Sequence, residues 1–524
     1  MSEPTRLGRR WAPTGVGVFA IVVGALVGGS YSARLSDHRG NHLVPVMDSA
    51  GADKDFVRPR HVVVVVADGL RADAARTMRS FAWLEKRGAC GVMDVGSLTR
   101  SRPVYALLST GVEADRTGVR VNDDPTPVAV ESIWQVARRF GLHVTATSGL
   151  AWWRELFPDG FDEYQTLPED ADLFAATSPA NLSLIHPVYI DEAGHRTGAA
   201  SAGYAAAVAR LDGEMQPFLQ RLDLGKDLVI LTADHGHTAR GGHGSPAPEL
   251  REVSLCLAGR GVRHSEAPFQ SLDARALPAL VAVFAGLPFP KHLAAGGGAD
   301  GLYRIFDLVD PAVVPPAWLA HCRQAVDARR DANQAQLEAW LHGPPGTWAR
   351  LARRAQKRQF VRGGLGLLVG LTVLAYLIKR NRPSSRAASG LAWASAVVGA
   401  SYLATILCRG RFDVAGLKSI ESFIVTESCA LFVVLGLAFL AHLAIWRDVG
   451  RLLGDAQALV GLQVALIVAH LSAFGWPIGF PLPPPQLLFA PYPLVLLMAG
   501  TGCFLVGATA LRAPLDRVIR RTRV

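Results

Sequence analysis

Four short stretches carry acids, imidazoles and hydroxyls at spacings that could hold metal ions and activate a hydroxyl. Asp68 closes the hydrophobic run in His61–Asp73, HVVVVVADGLRAD. Thr99, Ser101 and Arg102 lie in SLTRSRP, a hydroxyl-rich turn ahead of an apolar helix start. Asp191 and His195 stand four apart in DEAGH, and Asp234, His235 and His243 fall within ADHGHTARGGHG. Any one of these alone reads equally well as a helix cap or a turn. Together they supply three carboxylates and three imidazoles, each placed after a strand-like run. Zn²⁺ binds carboxylate oxygen and imidazole nitrogen, and three protein ligands per ion leave a position open for substrate. The neighbouring glycines let backbone approach the metals closely.

Such residues need elements that deliver them to one place. Five consecutive valines with no polar alternation suit a strand buried on both faces of a mostly parallel sheet. In open α/β sheets, ligands bind just beyond the carboxyl ends of the strands, which is where Asp68 would sit. From His61 to about Asp310 strand-like and helix-like pieces alternate. The strand candidates are Val62–Val66, His143–Thr147, Leu184–Ile190 and Asp227–Thr232; the helical ones are Asp73–Lys86, Val130–Phe140 and Ala199–Arg221. That alternation predicts an α/β domain with a mostly parallel sheet flanked by helices.

The rest of the chain belongs to a membrane. Half of its 524 residues are hydrophobic, 19% are charged, and the net charge is +10. Much of the basic excess lies in short clusters beside apolar segments, a pattern of membrane flanks and not of a nucleic-acid surface. An apolar run from about Pro13 to Tyr31 reads as an uncleaved anchor, although Tyr31-Ser32-Ala33 also suits a signal-peptidase site. Five more apolar segments follow, about 363–378, 388–408, 422–446, 456–476 and 487–511. With the N-terminus inside, the basic loops after the first, third and last of these fall on the cytoplasmic side. Six spans and an extracytoplasmic, periplasmic or lumenal, catalytic domain are therefore expected. This divides the chain into an anchor (1–33), a polar tether (34–60), the exported domain (61–310), an amphipathic juxtamembrane segment (311–362) and a five-span region (363–524). The basic run 350–362 is expected to lie along anionic headgroups, and the proline-rich 476–485 to form an extended outer loop. Glu427, His442 and His470 sit near span ends, where interfacial solvation explains them and a lipid-handling role is the alternative. Six scattered cysteines with no CxxC pair indicate neither a zinc knuckle nor a disulfide scaffold.

Taken together and in this order, ADGLRAD, LTRSRP, DEAGH and ADHG…GGHG resemble the alkaline phosphatase superfamily. Within it they are most similar to the type I phosphodiesterase branch, particularly the GPI ethanolamine phosphate transferases, whose layout of one span, exported domain and multi-span block also matches. The resemblance implies an alkaline-phosphatase-like fold over roughly residues 61–290 and a site with two divalent ions, Zn²⁺ by analogy. Asp68, Thr99, Asp234 and His235 would hold one ion, and Asp191, His195 and His243 the other. Thr99 would be the nucleophile of a covalent phospho-enzyme, its hydroxyl activated by a metal. TGVRVN resembles the superfamily stretch that ends in a phosphate-binding asparagine, which makes Asn122 a candidate oxyanion donor. His186 reads as a packed core imidazole. Arg102 would attract the anionic phosphate or pair with an acid. A sulfatase reading has the Ser101-x-Pro103 of its motif but Tyr105 where arginine is required. Tyr105 and the insert 165–183 depart from the family near the substrate pocket.

The implied activity moves a phospho-alcohol such as phosphoethanolamine from a phospholipid donor to a glycan or lipid acceptor. Two alternatives stand beside it: a hydrolase that resolves the same intermediate with water, and an inactive membrane-bound scaffold.

Overall fold

The five valines Val62–Val66 form a strand, β1, in which every residue is buried, as expected where helices cover both faces of a sheet. The computed structural model describes residues 4–35, 47–53, 55–123, 126–178, 180–293, 301–342, 384–409, 412, 420–474 and 489–521. It divides into two units, residues 36–345 and residues 1–35 with 346–524. In the first, β1 joins β2 (Gly88–Asp94), β3 (Val144–Ser148), β4 (Glu163–Thr166), β5 (Leu182–His186), β6 (Leu228–Thr232), β7 (Glu252–Gly259) and β8 (Phe269–Asp273). The order is β4-β3-β5-β1-β6-β7-β2-β8. Only β7 runs antiparallel to its neighbours β6 and β2. The sheet is therefore mixed but mostly parallel and flanked by helices, the α/β class read from the sequence.

Several boundaries shift for identifiable reasons. The expected strand Leu184–Ile190 ends at His186, because Pro187 offers no ladder N–H and a helix, Tyr189–Thr197, begins two residues later. The expected helix Asp73–Lys86 is two helices, Ala72–Ala75 and Arg79–Glu85. Asp212, from the long helix Ala202–Arg221, accepts from the N–H groups of Arg79 (3.0 Å) and Ser80 (2.7 Å) and starts the second one. The tether is shorter than expected. Phe56 packs edge-on against Trp318 and the Arg58 guanidinium donates to Ala285 O, so residues 47–60 that are described fold with this unit. The helix Pro316–His342 likewise sinks Trp318, Leu319, Cys322 and Val326 into the same core. The disulfide reading is corrected outright: Cys90 and Cys256 face each other across β2 and β7 and are bonded. Their separation of 166 residues hides the pair from any local spacing rule.

In the second unit, five helices among the described residues are long and apolar enough to cross a membrane: Pro13–Ser30, Ser389–Arg409, Val425–Trp446, Val449–Leu471 and Pro491–Ala510. The expected segment 363–378, the basic run 350–362 and the loop 476–485 lie outside the described residues. The N-terminal helix Pro4–Leu35 runs antiparallel to Pro491–Ala510 at backbone contact distance. A Cβ on Gly17 would lie 2.8 Å from Gly502 O, and one on Gly502 would lie 2.6 Å from Gly17 O. Small residues allow this close packing where lipid gives no hydrophobic drive.

Glu427 and His442 are not solvated at an interface. Glu427 is fully buried and takes bonds from Arg409 Nε (2.7 Å) and Thr405 Oγ1 (2.8 Å). His442 meets Asp455 at 2.6 Å, also buried. The span expected at 456–476 begins at Val449, which brings Asp455 inside the helix. His470 is partly buried.

Candidate metal centre

Parallel strands end on one side of a sheet, and the three central ones, β5-β1-β6, release the site residues there. Asp68 follows β1, Asp234 and His235 follow β6, and Asp191 lies in the first turn of the helix after β5. The loop after β6 then brings in His237 and His243. Two clusters result whose ligand atoms lie within 4.8 Å of one another: Asp68 with Asp234 and His235, and Asp191 with His195, His237 and His243. Six of these seven residues are the acids and imidazoles singled out in the sequence; His237 is the addition.

Gly69 makes the approach possible. It turns the chain with φ +72°, donates its N–H to Asp234 Oδ1 (3.1 Å), and a Cβ there would sit 2.8 Å from Asp191 Cα.

Hydrogen bonds behind the clusters set which ring nitrogen faces inward. His243 Nδ1 donates to Thr99 O at 2.7 Å, and His235 Nδ1 to Gly236 O at 3.2 Å. Each therefore turns a bare Nε2 to the site, the arrangement a metal-binding imidazole needs. His243 Nε2 lies 3.0 Å from His195 Nε2, and His235 Nε2 lies 3.2 Å from Asp234 Oδ2 and 3.7 Å from Asp68 Oδ1. His237 is turned the other way. Its Nδ1 accepts from Gly242 N (3.1 Å), so Nε2 carries the proton and donates to Asp191 Oδ1 at 2.6 Å. His237 thus orients Asp191 instead of offering a lone pair. The sequence signal for it was a histidine two residues after His235, on the same side of an extended chain.

The electrostatics want a cation. Burial, then the Asp68 and Asp191 carboxylates, push Asp234 well above the usual carboxylate range. Burial would raise Asp191 too, but His237 and His195 outweigh it and hold that carboxylate well below. Burial lowers His235 to about 4 and, with His235 as neighbour, depresses His243 strongly. His195 shifts the other way: burial would lower it, but the Asp191 carboxylate raises it. The neutral imidazoles of His235 and His243 and the crowded carboxylates are donors that suit a divalent ion. Asp68 Oδ1 and Asp234 Oδ2 are buried acceptors with no hydrogen-bond partner. Such atoms are costly unless something positive meets them. The residues fit two divalent ions; zinc is one that suits them.

The hydroxyls divide in a way the sequence did not reveal. Thr99 Oγ1 accepts from Gly244 N (2.8 Å) and donates to Ser245 O (2.9 Å), so both of its directions are spent on the 244–245 loop. Ser101 opens the helix Ser101–Thr110, and its Oγ lies 3.3 Å from His235 Nε2. Asn122 Nδ2 reaches the same Oγ at 3.4 Å, while Asn122 Oδ1 accepts from Arg102 N at 3.1 Å. Arg102 turns its guanidinium away, over the Trp152 ring at 4.6 Å and into an ion pair with Glu155. Its part at the site is the main-chain N–H that holds Asn122. His186 is packed as expected, but it is also bonded: Nε2 meets Tyr105 Oη at 2.9 Å and lies 3.3 Å from Asp68 Oδ2.

Among curated proteins none matches the chain. Solved structures give loose likenesses. Murine ectonucleotide pyrophosphatase/phosphodiesterase 5 is 16% identical over 48% of this chain and 100% of its own, with a TM-score of 0.41. BT1596, a 2-O GAG sulfatase, is 16% identical over 45% and 72%, at 0.38. A protein in the alkaline phosphatase superfamily from Vibrio parahaemolyticus is 14% identical over 49% and 73%, at 0.36. Residues 171–266, which contain Asp191, His195, Asp234, His235, His237 and His243, match the model of the Metalloenzyme superfamily, and the unit that carries them is that of an enzyme.

Proposed function

We propose that the chain is a membrane-anchored phosphotransferase that moves a phospho-alcohol, of the phosphoethanolamine kind, from a phospholipid to a glycan or lipid acceptor. One observation carries this reading. A single hydroxyl at a helix N-terminus, Ser101 Oγ, stands beside two clusters of carboxylates and imidazoles suited to a pair of divalent ions. A metal pair of this kind stabilises the attacking and leaving oxygens of an in-line displacement.

The chain's own residues supply the rest. Ser101 replaces Thr99 as the nucleophile, because its hydroxyl faces the clusters and Thr99's is held by the 244–245 loop. Ser101 Oγ bonds to phosphorus as the ester bond to the lipid alcohol breaks, and the serine proton leaves with that alcohol. The acceptor hydroxyl then attacks phosphorus, the bond from phosphorus to Ser101 Oγ breaks, and the acceptor's proton restores the serine hydroxyl. Asn122 Nδ2 is placed to donate to a non-bridging phosphoryl oxygen, and the N-terminal end of the Ser101–Thr110 helix favours the same negative charge.

Placement outside the cytoplasm is supported from both units. The Cys90–Cys256 disulfide suits an oxidising compartment. In the helical unit Arg451 reaches Ser389, and Arg512 lies beside Gly450, so basic residues gather at one end of the bundle. The N-terminal helix packs with Gly17 beside Gly502 and Gly28 beside Val495, so within this unit its C-terminal part points away from that basic end. The packing of this helix along Pro491–Ala510 favours a retained anchor over a cleaved leader.

The test uses the purified full-length protein with divalent metal and a native lipid extract, read by mass spectrometry of lipids and of the 97–103 peptide. A head-group adduct on Ser101 that passes to an acceptor establishes the transferase. Rapid release of the free phospho-alcohol assigns a hydrolase instead. Bound metal with no turnover of any phosphodiester leaves a scaffold. Ser101→Ala should lower turnover by about a thousandfold or more, whereas Thr99→Ser, which keeps both loop bonds, should retain it. An adduct on Thr99 would overturn the assignment of the nucleophile.

A further inference from the structure

The helix that presents Ser101 carries a second functional group four residues on. Tyr105 projects from the same helical face as Ser101 and is completely buried. Its ring stacks on Trp153 at 4.3 Å and meets His186 edge-on at 4.9 Å. A buried phenol must find partners, and this one finds the Asp68 carboxylate at Oδ2 and His186 Nε2 at 2.9 Å. One proton assignment satisfies every group. Ser148 Oγ donates to His186 Nδ1 (2.8 Å) while accepting from Leu150 N (3.1 Å). His186 Nε2–H then donates to Tyr105 Oη, and Tyr105 O–H donates to Asp68 Oδ2. The relay ends on one oxygen of Asp68 and leaves the other, Oδ1, buried and without a partner.

We propose that Tyr105 is a positioning residue that, with His186, pins Asp68 Oδ2 so that Asp68 presents Oδ1 alone to its metal ion. A carboxylate free to rotate can chelate with both oxygens and fill a coordination position that substrate needs. Held at one oxygen, it is restricted to a single bond, and the open position is kept. Because Tyr105 and Ser101 share a helix, the clamp also fixes the distance from the nucleophile to the ion held by Asp68. This rests on the two-metal reading above.

The experiment titrates the metal-stripped full-length protein with Zn²⁺ against a competing chelator and records the visible spectrum of the Co²⁺ form. Tyr105→Phe keeps the ring stacked on Trp153 and removes only the hydroxyl. One of the two ions should weaken about 10- to 100-fold, the other should change by less than about threefold, and the Co²⁺ bands should fall in intensity as Asp68 adds its second oxygen. His186→Phe, a second ring-preserving variant, should weaken the same ion. If Tyr105→Phe fails to fold, the His186 variant decides alone. Asp68→Asn separates the two claims. Should it lose one ion while Tyr105→Phe and His186→Phe match the parent in affinity and spectrum, the clamp is wrong and the metal site stands. Should Asp68→Asn keep both ions at parental affinity, the two-metal reading itself falls.

Discussion

A hydroxyl's direction depends on where its helix begins. Thr99 and Ser101 are separated by one residue, and SLTRSRP offers both. Because the helix starts at Ser101, with Pro103 in its first turn where no N–H is needed, the earlier hydroxyl falls on the loop and the later one on the site. The acids and imidazoles were legible for the opposite reason: each follows a strand end, and a parallel sheet brings such ends together whatever the local detail. His237 escaped notice because its role is set by Gly242 N–H from behind, a contact no spacing encodes. The glycine of DEAGH shows the same dependence. A Cβ on Gly194 would sit 2.5 Å from His237 Cδ2. We expect Gly194→Ala to push that ring off Asp191 and weaken one ion about tenfold or more, as read by chelator competition. Gly69→Ala should lower stability by about 1–2 kcal/mol from its left-handed backbone alone, with a further cost from the contact to Asp191; denaturant midpoints of the metal-free protein would measure it.

At the scale of elements, the apolar runs of β1 and β6 were plain in the sequence and the edges of the sheet were not. β4 is short, polar and mostly uncovered, and β8 is partly exposed, so neither has the hydrophobic pattern of a strand. β2 opens on Gly88 and contains Gly91, residues that weaken a strand reading even though close packing demands them here. The disulfide that ties β2 to β7 closes a long loop. Reduction or Cys90→Ser should lower stability by about 2–5 kcal/mol, visible as a fall in the thermal midpoint. Asp162 secures the other edge. Its carboxylate is partly buried, which would raise its pKa, but the Val144 N–H (2.8 Å) and Arg138 (2.8 Å) hold it lower. A depressed carboxylate stabilises the fold above its unfolded value of about 3.9 and loses that contribution as pH falls through the folded value. Asp162→Asn should therefore flatten the acid limb of the stability curve below about pH 4 and leave its shape near neutrality unaltered.

At the scale of the molecule, hydropathy identified the membrane unit, but it could not say that Glu427, His442 and Asp455 are paired inside it. Those partners come from different helices, and only packing shows them. The catalytic unit should depend on its ions. A ligand that binds only the folded state at a thousand times its Kd adds about 4 kcal/mol, so Zn²⁺ should raise the thermal midpoint of metal-stripped protein. Asp191→Asn should reduce that rise, and an unchanged rise would count against Asp191 as a ligand. A protease added to the outer face of sealed vesicles should cut within the unit of residues 36–345; protection of that unit would reverse the topology.

The glycine contact between the first helix and the last has a consequence for synthesis. Gly17 is made 485 residues before Gly502. At about 5–20 residues per second, the opening helix must wait tens of seconds in the bilayer with its glycine face unpaired. During that interval it is exposed to quality-control factors and to other newborn chains, so this contact of the bundle can be sealed only after Gly502 has been made.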